Sequence, residues 1–378
     1  MEQKVMVREV KKNRKYHFLI SGCKIIALIS ALVLPLALAS CAGPAGGKLV
    51  LEAKKAIERS DLFMGDWQGS WRLDDGSDSG PVVAQVIALG KGNYRANFLE
   101  EFDQRVEPIA VLQGPHRDGV VSFAGSGEYD GITLQIQAAI EGNKFTGNFQ
   151  GQDFSGSFTM ERTVRLSPTL GAKPPKNAIV LFDGKNFDEW KHPNKKEGED
   201  SVKWELTGGA MEVAPGTGSI ITRKQFTDVK LHLEFRTPFM PEARGQGRGN
   251  SGVYLQGRYE VQVLDSYGLE GRENECGGIY GAAPPLVNMC APPMQWQTYD
   301  ITFRAPRFDS SGKRVSKPTL TVLHNGVLVH EKTEAQGPTT AALGGKATEP
   351  GGIYLQDHGN RVQYRNIWLV ELPEKPAS

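Results

Sequence analysis

Residues Gly257–Gly268 read GRYEVQVLDSYG, and the alternation inside them decides the fold. Val261 and Val263 alternate with Glu260 and Gln262, the period-two pattern of a strand with one apolar face. The pattern returns in GVYLQG (Gly252–Gly257), where Val253 and Leu255 oppose Tyr254 and Gln256. It returns again in GIYLQDHG (Gly352–Gly359), where Ile353 and Leu355 oppose Tyr354, Gln356 and His358. Three separated strands thus carry aliphatic groups on one side and Tyr, Gln, Glu or His on the other. Two packed sheets would bury the aliphatic faces between them. The polar face is then open to water and, in a curved sheet, lines a groove.

Working outward, the segments AIVLFDG, VKLHLEFRT, TYDITFRA, TLTVLHNGVLVHE and VQYRNIWLVEL repeat the strand pattern with almost no helical periodicity. His324-Asn325-Gly326 sits between two alternating runs and marks a tight type I′ hairpin. Residues 177–373 therefore read as an all-β, two-sheet jelly roll. Upstream, residues 65–164 hold about eight short strands separated by Gly, Asn and Asp, the spacing of a smaller antiparallel β-barrel or sandwich. No chemistry is visible there, so an accessory or spacer domain is the favoured reading. RLSPTLGAKPPKN, with its prolines and few apolar residues, reads as a linker over residues 165–176.

The N-terminus is not part of the fold. Lys11, Lys12, Arg14, Lys15 and Lys24 precede the apolar run IIALISALVLPLALAS, an n-region followed by an h-region. The run ends at Leu38-Ala39-Ser40-Cys41, which resembles a bacterial lipobox. Residues 1–40 are then a signal peptide, and Cys41 becomes the lipidated first residue of the mature chain. Residues 41–64 follow as a tether with a short helix near 48–60. Lipid on Cys41 would anchor the protein to a membrane without a spanning helix, in the cell envelope. Ala42 after Cys41 points to the outer membrane or periplasm rather than the inner membrane. Export to an oxidising compartment suggests a disulfide between Cys276 and Cys290, with two buried free thiols as the alternative. The 44 basic and 43 acidic residues of the 378-residue chain leave a net charge of +1, which gives no nucleic-acid footprint.

Glu260, Gln262 and Asp265 stand at offsets of zero, two and five, so a regular strand would send Asp265 to the opposite face. A β-bulge at Leu264 would return it to the face of Glu260, as bulges beside active sites often do. Two carboxylates would then flank the groove, as acid/base chemistry on glycosides requires. The spacing is similar to the Glu-x-acid-x-x-acid of laminarinase-like glucanases, except that Gln262 replaces the middle acid. Glu260 and Asp265 are the proton-transfer candidates, joined by His358, whose unperturbed pKa lies close to neutrality. Asn250, Tyr254, Gln256, Gln262 and Gln356 suit the hydroxyls of a sugar, and Trp296 its C–H face. Arg365 could stabilise an anion, though an outward ion pair fits it equally well. His232 and Glu234 either line the groove or face water. No cofactor is called for; a divalent metal on Glu260, Asp265 and His358 stays a minor alternative without a compact ligand motif.

These residues carry a resemblance. GNSGVYLQGRYEVQVLDSYG, CGGIYGAAPP, WQTYDITFRAPRF, TVLHNGVLVHE and EPGGIYLQDHGNRVQYRNIWLVEL, in that order, resemble the 3-keto-disaccharide hydrolase domain family of exported bacterial proteins, which has a concanavalin-like glucanase fold. The resemblance covers about residues 177–373. It implies a carbohydrate substrate whose C3 hydroxyl has been oxidised to a ketone by a partner sugar 3-dehydrogenase. The ketone acidifies the C2–H bond, so a base can remove that proton, the C1 substituent leaves, and water adds back. Two readings compete with it: a carbohydrate-binding protein without turnover, and an ordinary glucanase using Glu260 and Asp265.

Overall fold

The computed structural model describes Lys55 and residues 60–373. The expected leader, Cys41 and all of the 48–60 helix except Lys55 and Ser60 lie outside the described residues. The rest is all-β, as the alternation predicts.

Eight antiparallel strands, from Gly65–Leu73 to Ser155–Thr163, close into a barrel because the first pairs with the last, Asp66 opposite Thr163. Closure removes free sheet edges. The strand Ile132–Glu141 shows how the sequence does this: Leu134, Ile136, Ala138 and Ile140 point inward and their neighbours outward. Phe145 stands at the centre, with Trp67, Phe98, Phe123 and Phe158 at ring-centroid distances of 5.4–5.9 Å. The core is filled by aromatic side chains.

The second body is a sandwich of a five-stranded and an eight-stranded sheet. Asn325 and Gly326 both adopt positive φ, 51° and 81°, which confirms the type I′ hairpin. In the smaller sheet Val261 pairs with Val253, Val253 with Leu355, and Leu355 with Ile220, so one apolar row crosses four strands into the core. The adjacent row runs Glu260–Tyr254–Tyr354–Ile221–Lys191 on the opposite face. Here the sequence pattern becomes geometry: each one-residue step along a strand switches between core and candidate site.

Residues 165–176 are more than a spacer. They cross the outer face of the larger sheet, where Thr169 donates to Asp300 Oδ2 at 2.8 Å and the Gly171 N–H to Glu234 Oε1 at 2.6 Å. Asn366 Nδ2 donates to the Ala172 carbonyl at 3.0 Å. The Pro-rich composition hid a strap whose backbone satisfies buried side chains.

Candidate active site

Glu260 lies in Tyr259–Val263, the edge strand of the smaller sheet, and is 2% exposed. That edge is covered rather than open. The Gln262 N–H donates to the Gly278 carbonyl at 2.9 Å, the Gly277 N–H to the Gln262 carbonyl at 3.0 Å and the Tyr280 N–H to the Glu260 carbonyl at 3.2 Å. The Glu260 N–H donates to Thr339 Oγ1 at 3.1 Å. Hydrogen bonds from both neighbouring loops therefore fix the strand.

The Glu260 carboxyl itself meets neutral groups. Burial pushes it up to about 8, and a hydrogen bond with the Tyr254 hydroxyl only partly opposes this. Tyr254 accepts from Gln356 Nε2 at 3.1 Å and lies 3.3 Å from the Thr340 carbonyl oxygen that it also serves. Burial, and after it the charge of Glu260, raises the Tyr254 pKa, so its hydroxyl stays protonated. Tyr354 packs edge-on against Tyr254, with centroids 4.9 Å apart. A Cβ at 252 would overlap Glu260 Oε1 and displace the carboxyl, so Gly252 makes the room that it occupies. The result is a carboxyl that is mostly protonated at neutral pH, beside a chain of neutral donors.

Asp265 does not join it. The ladder keeps regular register to Val263 opposite Ser251 and ends there, so no bulge interrupts it. Alternation is lost just beyond, where Val263 and Leu264 both enter the core. That turn sends the Asp265 carboxyl to Arg248, whose Nε donates to Oδ2 at 2.6 Å. The partner that the structure gives Asp265 is Arg248, where the sequence reading set it beside Glu260. His358 is exposed in the turn after Tyr354–Leu355 and, among the described residues, has no hydrogen bond or ion pair. Among the described residues no group of three or more His, Cys, Asp or Glu side chains could hold a metal ion, so Glu260, Asp265 and His358 do not form the metal set weighed from sequence.

The amide candidates divide. Gln356 reaches the site. Gln262 Nε2 bonds Gln246 Oε1 at 3.0 Å beside it, and Asn250 Nδ2 bonds the Gln246 carbonyl at 2.8 Å, leaving its Oδ1 buried without a partner. Gln256 falls in the hairpin turn with φ of 55° and donates to the Phe226 carbonyl, so it is a turn fastener and not a groove residue. Arg365 belongs to the other sheet, and Trp296 directly precedes its strand Gln297–Arg304. Arg365 Nε donates to Glu234 Oε2 at 2.6 Å, and its guanidinium lies 4.0 Å from the Trp296 ring centroid. The sandwich core separates both from Glu260, and the outward ion pair is the reading that holds.

His232 and Glu234 neither line a groove nor face water; each is 1% exposed beneath the strap. His232 Nδ1 bonds Asp300 at 2.8 Å. Burial alone would raise the Glu234 carboxyl, but His232, Arg365 and Asn366 outweigh it and hold it down at about 2. The disulfide is likewise corrected: Cys276 and Cys290 are free buried thiols hydrogen-bonded to each other, with Cys276 Sγ 3.2 Å from the Tyr299 hydroxyl. Sequence reasoning missed Gly252, Thr339 and Arg248. Gly252 had a signal, a glycine near an acid in alternating strands; the other two are set by distant loops.

Residues 177–370 match the family described as a 3-keto-alpha-glucoside-1,2-lyase-like domain. The chain belongs to that family. Membership makes this a carbohydrate-active, glycosyl-hydrolase-like protein, with Glu260, Tyr254 and Gln356 inside the matched domain. Among solved structures, a "putative glycosyl hydrolase" from Parabacteroides distasonis ATCC 8503 is similar at 37% identity, over 52% of this chain and 85% of that one, with a TM-score of 0.47. A second such protein from the same organism shares 20% identity over 52% and 95%, with a TM-score of 0.39. The fatty-acid-binding protein 1 of Echinococcus granulosus shares 14% over 28% of this chain and 99% of its own, with a TM-score of 0.19. No curated protein matches the chain.

Proposed function

We propose that the protein cleaves glycosides carrying a ketone at C3, with Glu260 as the proton-transfer group. The observation that carries this is the buried Glu260 carboxyl beside the Tyr254 hydroxyl, held at about 8 in a domain of this family. A carboxylate with that pKa is a far stronger base than an ordinary glutamate, and about a tenth of it is ionised at pH 7. It takes the C2 proton, made acidic by the adjacent ketone, and the electron pair forms the enolate. The neutral hydroxyl of Tyr254 and the amide of Gln356 are donors for the developing oxygen charge. Collapse of the enolate breaks the C1–O bond, and the leaving oxygen takes a proton from the carboxyl that Glu260 has become. Water adding at C1, with return of a proton to C2, completes net hydrolysis.

The test is to incubate the purified chain with a glucoside and with its 3-keto counterpart and follow release of the aglycone. Turnover of the keto form alone supports the proposal. Cleavage of the plain glucoside, or binding of both without cleavage, overturns it in favour of a glucanase or a binding protein. Glu260→Gln should lose turnover by about a hundredfold or more while still binding.

We propose further that the chain is exported and lipid-anchored through Cys41 in the cell envelope, facing the outer membrane or periplasm, where a sugar 3-dehydrogenase supplies its substrate. The basic segment, the apolar run and the small residues before Cys41 support this reading. Mass spectrometry of the mature N-terminal peptide checks it: an unmodified or uncleaved N-terminus refutes the anchor.

A further inference from the structure

We infer that the N-terminal barrel is a positioning module for the Glu260 site and acts through the segment 265–290; the inference rests on Glu260 being the working group. The barrel grips that segment with polar side chains. Asn97 Nδ2 and Arg95 Nη2 both donate to the Gly268 carbonyl, at 2.7 and 3.1 Å. The Tyr267 hydroxyl donates to Asp66 Oδ1 at 2.7 Å, and both residues are buried. Arg105 reaches the Gly271 carbonyl at 2.7 Å and the Pro285 carbonyl at 3.2 Å. Ile87 of the barrel packs into the core of the sandwich, and its Cδ1 stands 2.6 Å from where a Cβ on Gly268 would lie. Gly268 has φ of 68°, so the position needs glycine for conformation as well as for space.

The other side of the same segment builds the site. Gly277, Gly278 and Tyr280 supply the backbone groups that pair with Gln262 and Glu260, and Ile279 bridges to Val261. The Asn274 carbonyl accepts from Gln246 at 2.7 Å, beside Gln262. Internal bonds make the segment stiff enough to transmit a hold: the Cys276 N–H donates to Ser266 Oγ at 3.0 Å, and Asn288 Nδ2 to the Ser266 carbonyl at 2.8 Å. A spacer would need none of this. The barrel holds one face of a segment whose other face closes over Glu260 and keeps water from its carboxyl. Tyr267 and Asn97 are the positioning residues.

The experiment reads the titration of Glu260 from the pH dependence of unfolding, comparing each variant with and without Glu260→Gln. The titratable groups influenced by Glu260 are Tyr254, Tyr354 and Tyr364, each raised by burial and so neutral near pH 8, and Tyr280 lies nearby on the covering loop. Tyr267→Phe and Asn97→Ala should lower the midpoint of the Glu260 titration by about one pH unit or more as water reaches the carboxyl, while the titration of Glu234 on the far sheet stays put. Lowered stability with an unmoved Glu260 titration overturns the inference. Should the variants not fold, native-state hydrogen exchange on the parent decides. The Gly277, Gly278 and Tyr280 amides should open together with barrel residues 95–98, and independent opening overturns the inference. A parent that titrates as expected but cleaves no 3-keto-glycoside refutes the catalytic reading and leaves only the barrel's hold on the surroundings of Glu260.

Discussion

Glu260→Gln removes one ionisable group and little else, so it isolates the energy stored in that carboxyl. The folded pKa is about 8 against 4.5 for an ordinary glutamate. Because the folded value is raised, the associated stability is fully present below pH 4.5 and is lost as pH climbs through 8. Over the whole window the loss amounts to about 5 kcal/mol, since each pH unit between the two values contributes about 1.4 kcal/mol. Between pH 5 and 8.5 the linkage relation leaves about 4 kcal/mol. The Gln variant has no such group, so the difference in unfolding free energy between parent and variant should change by that amount across the interval. Urea denaturation at a series of pH values, followed by tryptophan fluorescence, measures it. The sign is diagnostic: the parent should lose stability relative to the variant as pH rises. Curves that run parallel within about 1 kcal/mol would show that Glu260 titrates normally, and the base proposed for C2 would be an ordinary, weak one.

Further outcomes follow from other contacts. With a 3-keto-glycoside, kcat/KM should rise about tenfold per pH unit and level off near 8, a limb that Glu260→Gln removes; a flat profile excludes Glu260 as the base. Gly252→Ala should destabilise by about 1–3 kcal/mol and abolish turnover, since the new methyl overlaps the Glu260 carboxyl; an active, equally stable variant would refute the packing. Glu234 is held at about 2, a lowered value, so its contribution is present above pH 4.5 and fades below it. The parent should lose about 2 kcal/mol between pH 6 and 3 that Glu234→Gln does not lose, again by urea denaturation. Cys276 and Cys290, at 0% and 2% exposure, should resist a thiol reagent until the chain is unfolded; rapid labelling in the native state would contradict their burial.

What the sequence revealed depended on distance along the chain. Alternation is a local property, so the shared face of Tyr254 and Glu260 and the core face of Val253 and Val261 could be read directly. Asp265 could not, because its direction is set by Arg248, which stands before the preceding strand and pairs with it across a bend. Gln256 obeyed the alternation on paper but fell in a turn with positive φ. Trp296 and Arg365 carry the right chemistry for a sugar; nothing near them in sequence says that they lie at the other sheet. Residues 165–176 show the same limit, since Thr169 and Gly171 find Asp300 and Glu234 across more than sixty positions.

The strap has a practical consequence for anyone dissecting the molecule. The family match begins at residue 177, shortly after Thr169 and Gly171 have delivered their hydrogen bonds. A truncation that follows the family boundary would therefore unroof an acid, an imidazole and a second acid on the rear of the catalytic body. Such a fragment would carry a fresh acidic scar unknown to the intact chain. The useful place to cut lies upstream of Arg165, whose carbonyl already accepts from Gln295 Nε2 and begins to thatch that body.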